Sequence, residues 1–392
     1  MEQYFSEITE RKNTRAVKWD LVKTLYGADD ILPMWVADMD FKVPPAVTEA
    51  LVDRAKHGIF GYTYTDKAYN KIVTDWVQYK HQWAIDNGWI LYSPGVISTL
   101  NIAIQALTEE EDKVLIQTPV YPPFYNIVQN HNRALVKNEL IYKDNSYQID
   151  FEDFEAKLKE GVKVFILCNP HNPVGRVWNR SELEQILALC KKYHVFILSD
   201  EIHADIIHEP NKHIPIASLD EEMLHQTITC MSPTKTFNLA GLQASYAIIP
   251  DQEIRKKISQ AFEKQGIHGI NTMGITALEA AYTEGKDWLH QLMLELNRNI
   301  DYVMKELSRL EEVDVTKPEG TYLIWLDFTK LNLSQKELKK FLEQKAKVGL
   351  NDGVTFGEEG TGFMRMNLAA PFQLIKEGTD RIRRAIEEKK GK

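Results

Sequence analysis

Only three of the 392 residues are cysteines: Cys168, Cys190 and Cys230. Their spacing matches neither a metal-ligand set nor a paired disulfide framework, and two of them lie in or beside strongly apolar strands. Such thiols are most simply buried side chains in a protein of a reducing compartment. The start of the sequence also lacks the basic and then apolar pattern of a signal peptide. These absences predict a cytoplasmic protein.

Long apolar runs and blocks of like charge are equally scarce. No apolar run approaches the roughly 20 residues that a membrane-spanning helix needs. The net charge is −9, and the charged residues form no block of like charges apart from a short charged tail at residues 387–390. A nucleic-acid or anionic-membrane surface needs a basic patch, which this sequence does not offer. We therefore expect neither a nucleic-acid partner nor a membrane partner.

What is present is the composition of an ordinary globular protein, with 44% apolar and 26% charged residues. From about residue 90, short apolar strands alternate with helices. Strands without polar alternation are buried on both faces, which indicates a mostly parallel sheet flanked by helices. These strands are predicted at residues 90–93, 113–117, 162–168 and 195–199.

The pattern changes after residue 250, where the helices lengthen. A long helix at about 287–310 precedes two strands, at 321–328 and 362–368, and this shift indicates a smaller α+β layer. A chain of this length is also too long for one small core. We predict an α/β fold with an N-terminal arm at 1–44 that packs on the small domain, a large domain at 45–285 and a small C-terminal domain at 286–392.

Two segments carry many apolar or aromatic residues without the period of a helix or a strand. Residues 32–41 read LPMWVADMDF, which predicts a buried loop or part of a site wall. Residues 60–65 form an aromatic loop, and Asp66 after it is placed to cap the next helix.

Four side chains follow ends of predicted strands: Tyr121, Asn172, Asp200 and Lys235. In mostly parallel sheets, ligands collect at the carboxyl ends of the strands. We therefore expect these four side chains to converge on one site.

Lys235 has no charged neighbour within residues 231–241. Burial in such surroundings disfavours the ammonium form, and a neutral amine can form a Schiff base with an aldehyde. The alternative is an ordinary loop lysine in water.

Asp200 ends a strongly apolar strand, where a charge needs a partner. That partner is either a group of the fold, which it caps or pairs with, or a protonated aromatic nitrogen. Pyridoxal 5'-phosphate (PLP) offers such a nitrogen, and an aspartate beside it keeps the ring an electron sink.

Other residues fit the same cofactor, each with a plainer alternative. Asn172 could donate to the ring's phenolate oxygen or simply form an Asn-Pro turn. Tyr121 could lie on the ring or in the core. Residues 95–98 open a helix whose N–H groups could bind phosphate, with Ser232 and Thr234 adding hydroxyls. Arg365, on an apolar strand, is expected to pair with a carboxylate of the fold or of a substrate.

Taken in order, these motifs resemble the PLP enzymes of the aspartate-aminotransferase fold, class I/II. Within that superfamily the chain is most similar to the MalY/PatB-type cystathionine β-lyases, also called C–S lyases. The residues that carry this narrower resemblance are 32–41, 58–62, 169–173, 199–203 and 232–238.

The resemblance implies a role for each matching residue. Lys235 would be the Schiff-base lysine and proton-transfer base, Asp200 the pyridinium partner, and Tyr121 the residue stacked on the ring. Asn172 would contact both the phenolate oxygen of the cofactor and the substrate carboxylate, and Arg365 would bind the α-carboxylate of the substrate. The other contacts implied are Ser232, Thr234, Val96 and Ile97 at the phosphate, Tyr62 at the phosphate of the neighbouring subunit in an obligate homodimer, His203 near the phenolate oxygen, and Ala37 and Tyr64 at the substrate.

The implied reaction is α,β-elimination from L-cystathionine or another L-cysteine S-conjugate to pyruvate, ammonia and a thiol. Two departures from the wider superfamily bear on it. His203 stands where aminotransferases commonly have a tyrosine, which agrees with the lyases, and Leu-Ala-Gly-Leu at residues 239–242 replaces the usual phosphate-binding arginine. Two alternatives stay open: an aminotransferase, and an additional role as a partner-binding transcriptional modulator.

Overall fold

The computed structural model describes residues 2–391, and two separate sheets contain most of its strands. The strands are β1 (Leu32–Pro33), β2 (Ile90–Ser93), β3 (Lys113–Thr118), β4 (Ala134–Glu139), β5 (Ile141–Lys143), β6 (Ser146–Gln148), β7 (Val162–Cys168), β8 (Phe196–Asp200), β9 (Thr227–Met231), β10 (Ser245–Ile248), β11 (Asp314–Thr316), β12 (Leu323–Asp327), β13 (Val348–Gly349), β14 (Asn351–Asp352) and β15 (Phe363–Asn367).

The larger sheet has seven strands in the order β2-β10-β9-β8-β7-β3-β4. All of them run parallel except β10, which is antiparallel to both of its neighbours. The central strands are buried on both faces, which explains their continuous apolar runs. The predicted mostly parallel α/β sheet is confirmed.

Helices cover both faces of this sheet, and further helices lie in the arm and around the smaller sheet. They are α1 (Glu2–Ser6), α2 (Val17–Asp20), α3 (Val22–Tyr26), α4 (Pro45–His57), α5 (Lys67–His81), α6 (Val96–Leu107), α7 (Pro123–Asn130), α8 (Phe151–Lys159), α9 (Arg180–Lys192), α10 (Glu221–Leu224), α11 (Pro233–Thr236), α12 (Gln252–Lys264), α13 (Thr272–Glu284), α14 (Lys286–Leu307), α15 (Gln335–Phe341) and α16 (Phe372–Lys390).

Local sequence signals set several of these helix ends. Asp66 caps α5 as predicted, because its carboxylate accepts from the Tyr69 N–H at 2.8 Å. The long helix α14 ends at Leu307, three residues before the predicted end. Leu310 is buried from the turn after α14, so its apolar character reflects core packing and not a further helical turn.

The smaller sheet is antiparallel, with the order β11-β12-β15-β14, and packs with α14 and α16 around its own apolar core. The N-terminal arm reaches this layer, since Leu32 pairs with Val348 and both Leu32 and Met34 lie in the same core. The division into residues 1–44, 45–285 and 286–392 stays a prediction that these contacts favour.

Within residues 2–391, no helix combines the length and the apolar character needed to cross a membrane. The thiols of Cys168, Cys190 and Cys230 are free and buried, as predicted.

Candidate active site

A cavity of about 200 Å³ opens at the carboxyl end of the larger sheet, beside the ends of β7 and β8. The four strand-end residues of the sequence analysis all line it. Nine of the predicted site residues meet in this cavity: Ala37, Val96, Ile97, Tyr121, Asn172, Asp200, His203, Thr234 and Lys235.

Lys235 lies in the short helix α11, which begins where Ser232 Oγ accepts from the Thr234 N–H at 3.0 Å. Its Nζ donates to the carbonyl oxygen of Ala37 at 2.6 Å. Burial, together with the positive charge of Arg365, lowers the pKa of the Lys235 amine to about 8. A substantial fraction of this amine is therefore neutral near pH 8, which a solvated lysine would not allow.

Asp200 is the last residue of β8 and is buried. One carboxylate oxygen accepts from the Ile202 N–H at 3.1 Å, and the residues that the structure describes supply no ion pair to it. Burial raises the pKa of the Asp200 carboxyl to about 7. The sequence predicts that Asp200 pairs either with a group of the fold or with a protonated aromatic nitrogen. Within residues 2–391, the fold supplies only the backbone N–H of Ile202. A cationic group beside Asp200 would stabilise the charged form of its carboxyl.

Arg365 lies on β15 and is buried, yet its guanidinium contacts neutral acceptors only. Nη1 donates to Asn172 Oδ1 at 2.8 Å, and Nη2 donates to the Trp35 carbonyl oxygen at 3.1 Å and to Asn351 Oδ1 at 2.6 Å. No carboxylate among residues 2–391 forms an ion pair with it. Burial lowers the pKa of Arg365 to about 10. The sequence predicts that Arg365 pairs with a carboxylate of the fold or with that of a substrate, and residues 2–391 do not supply the first of these.

His203 also lines the cavity, with its ring packed edge-on against Tyr322 at a centroid distance of 5.7 Å. Burial, then the charges of Lys235 and Arg365, hold the pKa of His203 well below its usual value, so the ring is neutral. Its Nδ1 has no hydrogen-bond partner within the described residues. A buried polar atom without a partner beside a cavity is suited to a bound ligand.

The helix-start end of the cavity is formed by Gly95, Val96 and Ile97, where α6 begins. Buried hydroxyls fix this corner, because Ser93 Oγ lies 2.7 Å from both Thr99 Oγ1 and Ser245 Oγ. The arrangement ties β2, α6 and β10 together.

Thr234 faces this cavity, whereas Ser232 lies behind it. The Ser232 hydroxyl donates to the Ala244 carbonyl oxygen at 2.7 Å, so its proton is already used within the fold. The Ser232 oxygen also lies 2.6 Å from Thr234 Oγ1, and because the Ser232 proton is given to Ala244, Thr234 is the donor in this contact. Both hydroxyl protons are thus used within the fold, and Thr234 differs from Ser232 only in lining the cavity.

Four predicted residues are not part of the cavity lining: Ser232, Arg365, Tyr62 and Tyr64, and of these the two tyrosines are exposed. Tyr62 is fully exposed and Tyr64 is 82% exposed, in a loop that also exposes Ile59 and Phe60. Residues that complete the site of a neighbouring subunit would have to be exposed in this way on their own chain.

Sequence reasoning missed the residues that hold the segment 35–41, which we call the strap. Asn367 donates to the carbonyl oxygens of Val36 and Asp38, and the Tyr322 hydroxyl donates to that of Ala37 at 2.9 Å. Asn367 lies two residues after Arg365 on β15, hence on the same face, and strand alternation could have found it. Tyr322 carries no comparable signal.

Residues 29–382 match the family model described as aminotransferase class I and II. The chain is 45% identical to cystathionine beta-lyase PatB of Bacillus subtilis (strain 168), over 97% of this chain and 99% of PatB. It is 33% identical to protein MalY of Escherichia coli (strain K12), over 97% of this chain and 98% of MalY.

A solved structure agrees with these relatives. Cystalysin from Treponema denticola, which contains a pyridoxal 5'-phosphate cofactor, superposes with a TM-score of 0.95 at 35% identity, and the match covers 98% of each chain. Identity at this level over nearly the whole length, with the predicted motifs gathered in one cavity, assigns the chain to the class I and II aminotransferase family and, within it, to the PatB and MalY type.

Proposed function

We propose that this protein is a PLP-dependent carbon–sulfur β-lyase. It cleaves L-cystathionine or another L-cysteine S-conjugate by α,β-elimination, and water is consumed as pyruvate, ammonia and a thiol are released. With L-cystathionine the thiol is homocysteine, which places the reaction in methionine biosynthesis. The supporting relatives are PatB, named a cystathionine beta-lyase, and PLP-containing cystalysin.

One observation carries the proposal most directly: Asp200 and Lys235 line the same cavity, and the described residues form no ion pair with the Asp200 carboxylate. A buried carboxylate without a cation is costly unless a ligand supplies the positive charge. A protonated pyridine nitrogen is such a ligand. The unpartnered Nδ1 of His203 at the same cavity fits a polar ligand as well.

PLP, when bound, supplies an aldehyde for covalent attachment of an amine and a protonated ring that accepts the electron pair left at the α-carbon. Lys235 is the residue that would hold the aldehyde, and Asp200 would hold the ring nitrogen. Tyr121 would lie on the ring face, and Asn172 and His203 near its phenolate oxygen. The phosphate would be held by Thr234, Ser232 and the backbone N–H groups of Val96 and Ile97.

Arg365 and Asn172 would bind the α-carboxylate of the substrate, next to Ala37 on the strap. Arg365 is held in place by the Trp35 carbonyl and two amide oxygens, so it is oriented without being neutralised. The Lys235 amine then removes the α-proton, for which its lowered pKa is suited. The thiolate leaves from the β-carbon.

We propose further that two copies of the chain form a homodimer with the sites at the interface. The exposed loop at residues 59–64 supports this, because it presents four large side chains to solvent in a single chain. Tyr62 would reach the cofactor phosphate of the neighbouring subunit, and Tyr64 its substrate.

The test is a comparison of reactions with and without an added 2-oxo acid. We expect the PLP-loaded protein to release pyruvate and thiol from L-cystathionine in equal amounts without any 2-oxo acid, measured by coupled reduction of pyruvate and by a thiol reagent. L-cystine and L-cysteine in parallel reactions give the substrate range. An enzyme that stays inactive until a 2-oxo acid is added is an aminotransferase, and the lyase proposal is then wrong.

The variant Lys235→Ala tests whether Lys235 is needed for this reaction. We expect pyruvate release to fall by about 10³-fold or more, because general base catalysis alone contributes up to about four orders of magnitude. Lys71→Ala serves as the control, since Lys71 is an exposed lysine that pairs with Asp75 on α5. A Lys235→Ala enzyme with wild-type activity would remove Lys235 from the mechanism.

A further inference from the structure

Many of the hydrogen bonds that hold the strap at residues 35–41 are accepted by its backbone carbonyl groups, in addition to those accepted by the carboxylates of Asp38 and Asp40. Both layers of the molecule contribute the donors. They are Arg365 to Trp35, Asn367 to Val36 and Asp38, Tyr322 and Lys235 to Ala37, Arg11 and Asn238 to Met39, and Asn238 to Phe41.

The carbonyl oxygens of Ala37 and Met39 each receive two side-chain donors, but only that of Ala37 lies in the cavity lining and receives Lys235. The donors to the Ala37 oxygen are Lys235 Nζ at 2.6 Å and the Tyr322 hydroxyl at 2.9 Å. The Lys235 amine is the reactive group of the proposed mechanism, whereas Tyr322 is a buried core residue that does not line the cavity.

We propose that the Ala37 carbonyl holds the Lys235 amine in position whenever that amine is not bonded to the cofactor, and that Tyr322 is the positioning residue which fixes this carbonyl. The inference rests on the proposed function, in which the amine is released and then moves a proton.

A carbonyl oxygen suits this task because it can only accept. It takes one N–H of the amine and leaves the nitrogen lone pair directed elsewhere, free to receive the α-proton. A carboxylate at the same place would favour the ammonium form and compete for the proton.

Tyr322 suits its part for a related reason. Burial raises the pKa of its hydroxyl, which therefore remains a proton donor throughout the range in which the enzyme works. The Tyr322 hydroxyl and the Lys235 amine donate to the same Ala37 oxygen. The hydroxyl therefore makes this oxygen a weaker acceptor for Lys235, and the oxygen stabilises the ammonium form of Lys235 less. Loss of the hydroxyl should loosen the strap and strengthen the remaining contact to Lys235.

The charged and titratable groups that act on Lys235 come from the strap, the larger sheet and the smaller sheet. Arg365 lowers the pKa of the amine, while Asp38 and Asp200 raise it. His203 is neutral and close by. Tyr322→Phe leaves all four of these side chains in the protein, although Tyr322 itself lies against His203 and acts on Arg365.

Tyr322→Phe tests the proposal. We expect kcat to fall about tenfold, as the loss of one hydrogen bond at a positioned group allows, with KM nearly unchanged because Arg365 is intact. In the cofactor-free protein we expect the pKa of Lys235 to rise, measured by pH-dependent acylation of Lys235 relative to exposed Lys71 and read by mass spectrometry.

Tyr147→Phe is the matched control, because Tyr147 is equally buried and its hydroxyl is bonded to Trp325 Nε1 at 2.9 Å instead of to the strap. We expect it to leave kcat and the labelling of Lys235 unchanged. An equal effect of both variants, or no change in Tyr322→Phe, overturns the proposal.

If Tyr322→Phe does not fold, Ala37→Gly replaces it, since a freer backbone disorders the same carbonyl. The same fall in kcat and the same change in labelling are expected, and their absence is equally contrary to the proposal. The labelling is done without cofactor or substrate, so it stays informative even if the wild-type enzyme releases no pyruvate and the proposed function fails.

Discussion

The strap at residues 35–41 and the loop at residues 59–64 look alike in the sequence and differ completely in the structure. Both are apolar or aromatic and both lack regular secondary structure. The strap is held by donors from the arm, from α11 and from β15, whereas the loop leaves Ile59, Phe60, Tyr62 and Tyr64 exposed. The first is completed within one chain, and the second presents a surface that a single chain does not cover.

The difference has an identifiable physical origin. The strap contains Asp40, whose buried carboxylate receives Lys18 Nζ at 2.6 Å, Arg11 Nη1 at 2.5 Å and Trp19 Nε1 at 2.8 Å. These charges hold the pKa of Asp40 below its usual value despite burial. Exposed apolar area without such anchors is typical of an interaction surface. Similar composition therefore does not imply a similar environment.

The largest expected effect tests whether the two segments serve the same subunit or opposite ones. Lys235→Ala and the double variant Tyr62→Ala/Tyr64→Ala should each be nearly inactive alone. When the two are refolded together, we expect about a quarter of wild-type pyruvate release, because half of the dimers are mixed and each has one intact site of two.

Lys235→Ala mixed with Arg365→Ala is the control for that experiment. Arg365 contacts the strap and acts in the same subunit as Lys235 in our proposal, so no mixed dimer would contain an intact site. Recovery of activity in this pair, or its absence in the tyrosine pair, would contradict the assignment of the loop to the partner subunit.

A smaller but still large effect is expected at the anchor of the strap. Lys18→Met removes one of the two cations that pair with the buried Asp40 carboxylate and leaves only Arg11, and breaking a buried pair costs about 3–5 kcal/mol of unfolding free energy. Denaturant unfolding followed by circular dichroism measures the change. Lys71→Met, which breaks an exposed pair with Asp75, should change little. Equal losses in the two variants would show that Asp40 does not depend on Lys18.

The smallest effect is expected for one hydroxyl of the loop. Tyr62→Phe removes a proposed hydrogen bond to the cofactor phosphate of the neighbouring subunit, and a hydrogen bond to a charged group accounts for roughly a tenfold change in affinity. Titration of the cofactor-free protein with PLP, followed by absorbance, measures it. Tyr79→Phe, at another exposed tyrosine, should bind as the wild type does.

Sequence patterns predict four strands of the larger sheet from their apolar runs, whereas β9 and β10 in the same sheet are not predicted. The predicted ranges 90–93 and 162–168 coincide with β2 and β7. The reversed direction of β10 was not predictable in the same way. Its pairing joins Ser245 to Ser93, and such a distant partner leaves no local pattern.

In the candidate site too, residues with a local sequence signal could be predicted and residues that depend on distant contacts could not. Tyr121, Asn172, Asp200 and Lys235 could be brought together from the sequence by the rule that ligands collect at strand ends, and they do line one cavity. Tyr322 could not, since it acts through a backbone oxygen 285 residues away in the sequence. Side-chain contacts to distant backbone groups depend on the assembled fold and have no period to detect.

The hydroxyl cluster of Ser93, Thr99 and Ser245 has a consequence for how the protein is made. β2 lies at the edge of the larger sheet and pairs with β10, whose residues are synthesised about 150 positions later. A nascent chain emerging from the ribosome thus exposes β2 and the start of α6 until β10 has also emerged. The corner proposed for the cofactor phosphate is therefore among the last parts of the larger sheet to be completed during synthesis.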